Sequence, residues 1–122
     1  MIYDCFTYFD EVELLNLRLE LLYQVVDYFI IVESEWTFSG SKKGLNARDV
    51  INKHQLADCI GKKTLIVELK DGPIYSKTYS ANWEREEYQR NSILRGLKDL
   101  RPEDIVLISV SYTHLTLPTI LL

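Results

Sequence analysis

The amino-acid sequence predicts an α/β protein, a mostly parallel sheet flanked by helices. Four apolar runs recur along the chain, Ile2 to Phe6, Tyr28 to Val32, Thr64 to Leu69 and Ile105 to Ile108. They are continuous rather than alternating, as strands covered on both faces are. Helix-forming stretches separate them, and strands alternating with helices favour parallel pairing.

The first run opens the chain. Asp10 with Glu13 then forms a capping-box-like start to a leucine-rich segment. That segment is ambiguous, because "LNLRLELL" (Leu15 to Leu22) alternates apolar and polar residues as a half-exposed strand would. It contains no β-branched residue and follows a cap, so a helix is expected. Tyr28 to Val32 is aromatic and β-branched and ends at Glu33, marking the second strand. The loop "SEWTFSGSKKG" (Ser34 to Gly44) follows, then a helix expected from about Asn46 to Ile60 and the third strand. Asp71-Gly72-Pro73 is a turn signal opening a loop that reaches Asn82. A helix is predicted from Trp83 to about Leu100, with Asn82 as N-cap and Glu84, Glu86 and Glu87 where the helix dipole favours acids. Pro102 stops it, and Ile105 to Ile108 is the fourth strand.

Composition sets the bounds. The chain has 122 residues, 47% of them hydrophobic and 26% charged, with a net charge of −4. This describes one globular domain or part of one, and a chain of this length buries roughly two thirds of its unfolded surface without a disulfide or metal. Cys5 and Cys59 lack metal-ligand spacing and are expected to be reduced thiols in packed positions. Mild acidity without a clustered basic face excludes nucleic acid as a partner. No basic segment followed by an apolar stretch opens the chain, so no secretory signal is expected. The uncharged run Ile105 to Leu122 has 18 residues, but eight are Ser, Thr, Tyr, His or Pro, so no transmembrane segment is expected.

In parallel sheets ligands bind beyond the carboxyl ends of the strands. Trp83, Glu86, Arg90, Ile93, Leu94 and Leu97 fall on one helical stripe. Glu86 and Arg90 are four apart in the order that favours pairing. Two readings stand: a surface ion pair at the edge of the stripe, or a helix whose first half lines a crevice. In the second, Arg90 suits a phosphate or carboxylate, whose oxygens match its fork of donors. Glu33, at a strand end, is either solvated or an acceptor for ligand hydroxyls. The loop from Ser34 to Gly44 is a flexible connection or a phosphate cradle, although it carries no phosphate-loop pattern. His54 has no neighbouring ligand or nucleophile and reads as structural or surface.

Three blocks carry a family resemblance. "IYDCFTYFDEVELLNLRLELL", "VVDYFIIVESEWTFSGSKK" and "WEREEYQRNSILRGLKDLRPEDIVLIS" resemble the amino-terminal part of glycosyltransferase family 17. Its named eukaryotic member is the β-1,4-mannosyl-glycoprotein 4-β-N-acetylglucosaminyltransferase of protein N-linked glycosylation. The resemblance covers residues 1 to about 109, in order. It implies an incomplete GT-A-like, Rossmann-related fold, a UDP-sugar donor, a glycan acceptor, and transfer of N-acetylglucosamine or a related sugar. It also implies that Glu33, Ser39, Lys42, Arg85, Glu86, Gln89, Arg90 and Asn91 border the donor, with Arg90 and Asn91 nearest the diphosphate or sugar.

A family member is expected to continue after the fourth strand into an Asp-x-Asp motif, whose carboxylates hold the Mn²⁺ or Mg²⁺ that bridges the donor diphosphate. Here Val110, Ser111 and Tyr112 stand in its place, and none supplies a carboxylate. The tail "VSYTHLTLPT" resembles the translation of a sequencing adapter. The chain therefore divides into residues 1–109, the nucleotide-sugar-binding part, and 110–122, a non-native tail. No catalytic residue, no bound cofactor and no transferase activity are expected of it. Eukaryotic family members are anchored Golgi enzymes, whereas the missing signal and reduced cysteines here lead to the expectation of a cytoplasmic, bacterial protein. The alternative from another class is a small non-catalytic α/β module that binds a nucleotide or a protein.

Overall fold

The computed structural model describes residues 1–9, 11–35, 44–70, 87–97 and 99–109, and the backbone of 119–121. Four parallel strands form the sheet: β1 (Ile2–Tyr8), β2 (Tyr28–Ser34), β3 (Thr64–Leu69) and β4 (Ile105–Ser109). A fifth, β5 (Thr119–Leu121), pairs antiparallel with β4 and lies outside the four predicted runs. The spatial order is β3-β2-β1-β4-β5, with β1 central among the parallel strands. Its register sets Tyr8 beside Glu33 on one side and Phe6 beside Ser109 on the other.

This order follows from the hand of the crossovers. Parallel strands are joined by right-handed connections, so two successive steps in one direction put their helices on one face, and a step back puts its helix on the other. Helices α1 (Val12–Leu22), α2 (Ala47–Asn52) and α3 (Ala57–Gly61) cover one face. Their Leu15, Leu19, Ala47, Ile51 and Ile60 pack on Phe6, Tyr8, Phe29 and Ile31. The alternate strand residues Tyr3, Cys5, Ile30, Val32 and Val106 form the opposite core with Ile93. That core is covered by α4, helical residues 87–91, which tightens into a 3₁₀ turn at Ser92–Gly96.

The alternation in "LNLRLELL" has a helical explanation. Leu15 and Leu19 are buried at 2% and 0% exposure, while Leu17 and Leu21 are 50% and 68% exposed. Two leucine stripes, each of period four and offset by two residues, produce an apparent period of two. The start of α1 differs from expectation. Asp10 lies outside the described residues, and the residue before the helix, Glu11, accepts from the N–H of Phe9 (3.2 Å) rather than from the first turn. The far end is capped by Lys63, whose Nζ donates to the carbonyls of Tyr23 (2.6 Å) and Val26 (3.1 Å). A cation suits the negative pole of a helix C-terminus.

Other boundaries shift for local reasons. The single helix expected from Asn46 to Ile60 is two, because the N–H of Leu56 turns to Nδ1 of His54 (2.9 Å) instead of continuing the ladder. His54 is thus structural. Cys5 is fully buried, and desolvation pushes its thiol up to about 12. Cys59 is exposed rather than packed as expected.

The predicted helix from Trp83 to Leu100 ends earlier, at Gly96. Residues 82–86, with the expected cap and three members of the expected first turn and stripe, Trp83, Glu84 and Glu86, lie outside the described residues. Within the described part the 3₁₀ turn winds tighter than an α-helix. Ile93 faces the core, whereas Leu94 leaves the stripe and is 68% exposed. Gly96 is required by proximity, since a Cβ there would lie 2.6 Å from Cγ2 of buried Ile30.

The amino-terminal ends of the neighbouring strands β1 and β4 are joined electrostatically. The Met1 amine donates to Oδ1 of Asp104 (2.8 Å), and Asp104 Oδ2 accepts from the N–H of Arg101 (2.8 Å). The bond to Asp104 raises the amine above its ordinary 8.0, with desolvation opposing. The same bond, and then that of Arg101, lowers Asp104 below 3.8.

Gly96→Ala is expected to destabilise the fold by about 1–3 kcal/mol, because Ile30 must shift in a packed core; chemical denaturation of both chains measures it. For Asp104→Asn the expectation is a pH-dependent loss. The raised amine stabilises fully below pH 8.0 and loses this as pH rises through its folded value. The lowered carboxylate stabilises above pH 3.8 and loses this as pH falls through its folded value. Stability curves of the chain and of Asp104→Asn should therefore diverge at neutral pH and converge at both extremes.

Candidate functional site at the carboxyl edge of the sheet

The strand order reverses between β1 and β4: the chain leaves β1 toward β2 and β3, then returns to the other side. The chain leaves β1 toward the face of α1, whereas β4 is reached from the face of α4, and an open α/β sheet receives its ligands at the carboxyl edge where the order reverses in this way. The described residues at the rim are Thr7 and Tyr8 of β1, Glu33 and Ser34 of β2, and Ser109 of β4.

Glu33 is completely buried, on the face covered by α2. Its Oε1 and Oε2 accept from the N–H of Asn46 (3.0 and 2.9 Å), and Oε1 also accepts from Ala47 (2.9 Å). These backbone groups open α2, where no intrahelical acceptor exists. The carboxylate therefore anchors the returning end of the Ser34 to Gly44 loop rather than standing in solvent. Gly44 turns into this anchor at φ 83°, a backbone conformation natural to glycine.

Gln89, Arg90 and Asn91 come at the end of α4 nearest the carboxyl edge. Gln89 is buried at 2% exposure, Arg90 half-buried and Asn91 exposed. They lie on the face opposite the Glu33 carboxylate, so the structure brings the predicted residues to one edge but on two faces of the sheet. Ser39, Lys42, Arg85 and Glu86 lie outside the described residues, as do Val110, Ser111 and Tyr112. The pairing of Glu86 with Arg90 therefore lies outside them too.

One constellation was missed in the sequence. Asp4, in the middle of β1, is 1% exposed. Arg18 of α1 grips its carboxylate through Nη2 and through Nε (2.7 Å), and Nη2 also donates to Oγ of Ser109 (2.8 Å). The guanidinium lies over the ring of Phe6, 4.2 Å from its centroid. The available signal was a charge inside each of two apolar runs, "IYDCF" and "LNLRLELL". Such charges stay in a core only when paired. Beside this cluster a groove of about 530 Å³ runs along α1, walled by Phe6, Leu14, Leu17, Leu21 and Leu107. A hollow of about 700 Å³ at the amino-terminal half of the sheet, between Tyr3, Tyr28, Leu65 and Arg95, is remote from the crevice.

Comparison with known proteins decides the family. Residues 1–115 match the model of glycosyltransferase family 17. The chain belongs to this family. No curated protein and no solved structure matches it. A glycosyltransferase takes a sugar donor and an acceptor, and the carboxyl edge is where an open parallel sheet receives its ligands. No helix among the described residues is long and apolar enough to cross a membrane.

The Glu33 anchor generates a prediction. Glu33→Ala leaves two backbone N–H groups without their acceptor and should cost about 1–3 kcal/mol. Hydrogen exchange at Asn46 and Ala47 should accelerate more than in the β1 amides, which a residue-resolved exchange measurement checks.

Proposed function

We propose that residues 1–109 form the donor-binding part of a transferase that moves N-acetylglucosamine or a related sugar from a UDP-sugar to a glycan. The observation that supports this most is the match of residues 1–115 to the family together with a strand order that reverses between β1 and β4. A nucleotide diphosphate placed at that crevice would meet α4 at Arg90 and Asn91 and the loop anchored by Glu33. Arg90 would give two donors to one phosphate, Asn91 would turn its exposed amide to the sugar, and buried Gln89 would hold the helix end in place. Glu33 would act through the loop that carries Ser39 and Lys42, since its own oxygens hold α2. Arg85 and Glu86 complete the proposed set.

The divalent ion of the family's chemistry does not fit the residues of this chain. Val110, Ser111 and Tyr112 provide no carboxylate, and among the described residues no group of three His, Cys, Asp or Glu side chains converges. In the parent enzyme Mn²⁺ or Mg²⁺ would neutralise the departing diphosphate; for this chain no step runs through a metal. We therefore propose that the chain as it stands transfers no sugar and that residues 110–122 are not native sequence.

The test is direct. The 122-residue chain should bind UDP weakly, with an affinity that added Mn²⁺ leaves unchanged, and should release no UDP from UDP-N-acetylglucosamine in the presence of a mannose-bearing glycan. The double variant Val110→Asp with Tyr112→Asp should make UDP binding Mn²⁺-dependent, as a two-carboxylate site requires. Calorimetric titration with and without Mn²⁺ reads this, and sugar transfer by the unsubstituted chain would refute the inactivity.

A further inference from the structure

The groove beside α1 is not used by the donor reading, yet it begins at the edge where that reading places the donor. Thr7, Tyr8 and Ser109 line it, and the same three residues stand at the carboxyl ends of β1 and β4. Below this polar end its walls change character. Leu14, Leu17 and Leu21 face it from α1 and Leu107 from β4, with Phe6 of β1 between them. The helix packs on Phe6, Tyr8, Phe29 and Ile31 of β1 and β2, and the groove is the space between its flank and β4. Its leucines do not serve the core. Leu14, Leu17 and Leu21 are 63%, 50% and 68% exposed, and their spacing of three and four places them on one stripe of the helix. A contiguous apolar surface of this kind marks a binding site, and about 530 Å³ falls within the range of small-molecule sites. The polar groups tell against an ionised ligand. Asp4 holds Arg18 through two nitrogens, so this guanidinium is not available to a phosphate or carboxylate, and Glu11 at the mouth disfavours an anion.

We propose that the groove receives the hydrocarbon chain of the acceptor, so that the glycan to which the sugar is added is carried on an uncharged lipid. This rests on the donor reading for which edge the chemistry occupies, whereas the groove and its walls are independent of it. A free or protein-borne glycan presents hydroxyls along its whole length, and leucine walls would leave them without partners. A chain of methylene groups has no such bonds to lose and gains with each group removed from water. The polarity of the groove sets the direction of the ligand. With its chain against Leu17, Leu21 and Leu107, an amphiphile has its head at Thr7, Tyr8 and Ser109, at the edge assigned to the donor. The hollow between Tyr3 and Arg95 has no such continuity, since it lies at the amino-terminal half of the sheet.

The test titrates the 122-residue chain, labelled at its leucine methyl groups, with decyl β-mannoside below its micellar concentration. Methyl β-mannoside supplies the head without the chain, and decyl triethylene glycol ether the chain without the sugar. NMR spectra should show shifts at the methyl groups of Leu14, Leu17, Leu21 and Leu107 and none at Leu65, in the other hollow. Decyl β-mannoside should bind roughly tenfold or more tighter than methyl β-mannoside, as burial of several methylene groups implies, and severalfold tighter than the ether. The double variant Leu17→Asn with Leu21→Asn, at two exposed positions, should weaken its binding by roughly tenfold at an unchanged melting temperature, whereas Leu65→Asn should leave it as it is. If the double variant does not fold, the methyl shifts of the unsubstituted chain decide. Shifts that include Leu65 equally, or equal affinity for the two mannosides, overturn the groove as a lipid site. Equal affinity for the ether and for decyl β-mannoside overturns the acceptor role. Self-association of the chain in sedimentation that the double variant abolishes puts a second copy on the groove and overturns the proposal as well. UDP is titrated separately. If the amides of Arg90 and Asn91 do not respond to it, the donor reading falls, and the leucine methyl groups still decide whether the groove takes a hydrocarbon chain.

Discussion

The structure depends on the double pairing of β1. Tyr3 to Tyr8 pair with β2 on one side and Ile2 to Phe6 with β4 on the other, so this strand is interior to the sheet and both its faces must be covered. The right-handed rule for parallel connections then leaves no freedom in where the helices go. α1, α2 and α3 fall on one face and α4 on the other. The crevice is a geometric consequence of placing the first strand in the middle of the parallel set.

That placement also dictates which polar groups the core must accommodate. Asp4 and Glu33 both point to the face of α1 to α3, and both are almost or wholly inaccessible. Burying an unpaired carboxylate costs several kcal/mol, and the two are satisfied differently. Asp4 meets a guanidinium, which neutralises it. Glu33 meets the N–H groups that open α2, whose own acceptors are missing. Neither bond needs solvent, and each ties a helix to the sheet at one defined height. The apolar leucines of α1 contribute attraction without such precision. Leu15 and Leu19 supply about 1.5–3 kcal/mol each by burial, but sliding along the sheet would change that little.

The family assignment and the geometry meet at the carboxyl edge. A glycosyltransferase takes a sugar donor and an acceptor, and parallel sheets receive ligands at the carboxyl ends of their strands. In this chain Val110, Ser111 and Tyr112 follow β4, and none of them is a carboxylate.

Much of this was legible in the residues. Four continuous apolar runs announced parallel strands, because a strand covered on both faces has no polar side. Helix α1 was legible from the absence of β-branched residues in "LNLRLELL". Asp4 and Arg18 were visible as charges in apolar surroundings, but 14 positions separate them, and only a crossover helix lying on its own strand brings them together. The pairing of Glu33 with Asn46 and Ala47 was hidden for the same reason. The need for glycine at position 96 was hidden because its cause is the proximity of Ile30, a residue of another element. The sequence by itself determined the fold class, the family and the lack of carboxylates after β4, since these depend on composition and order along the chain. Only the tertiary structure decided which faces the site residues occupy and how Arg18 reaches Ser109, because those relations depend on the hand of the crossovers and the register of β1 with its two neighbours.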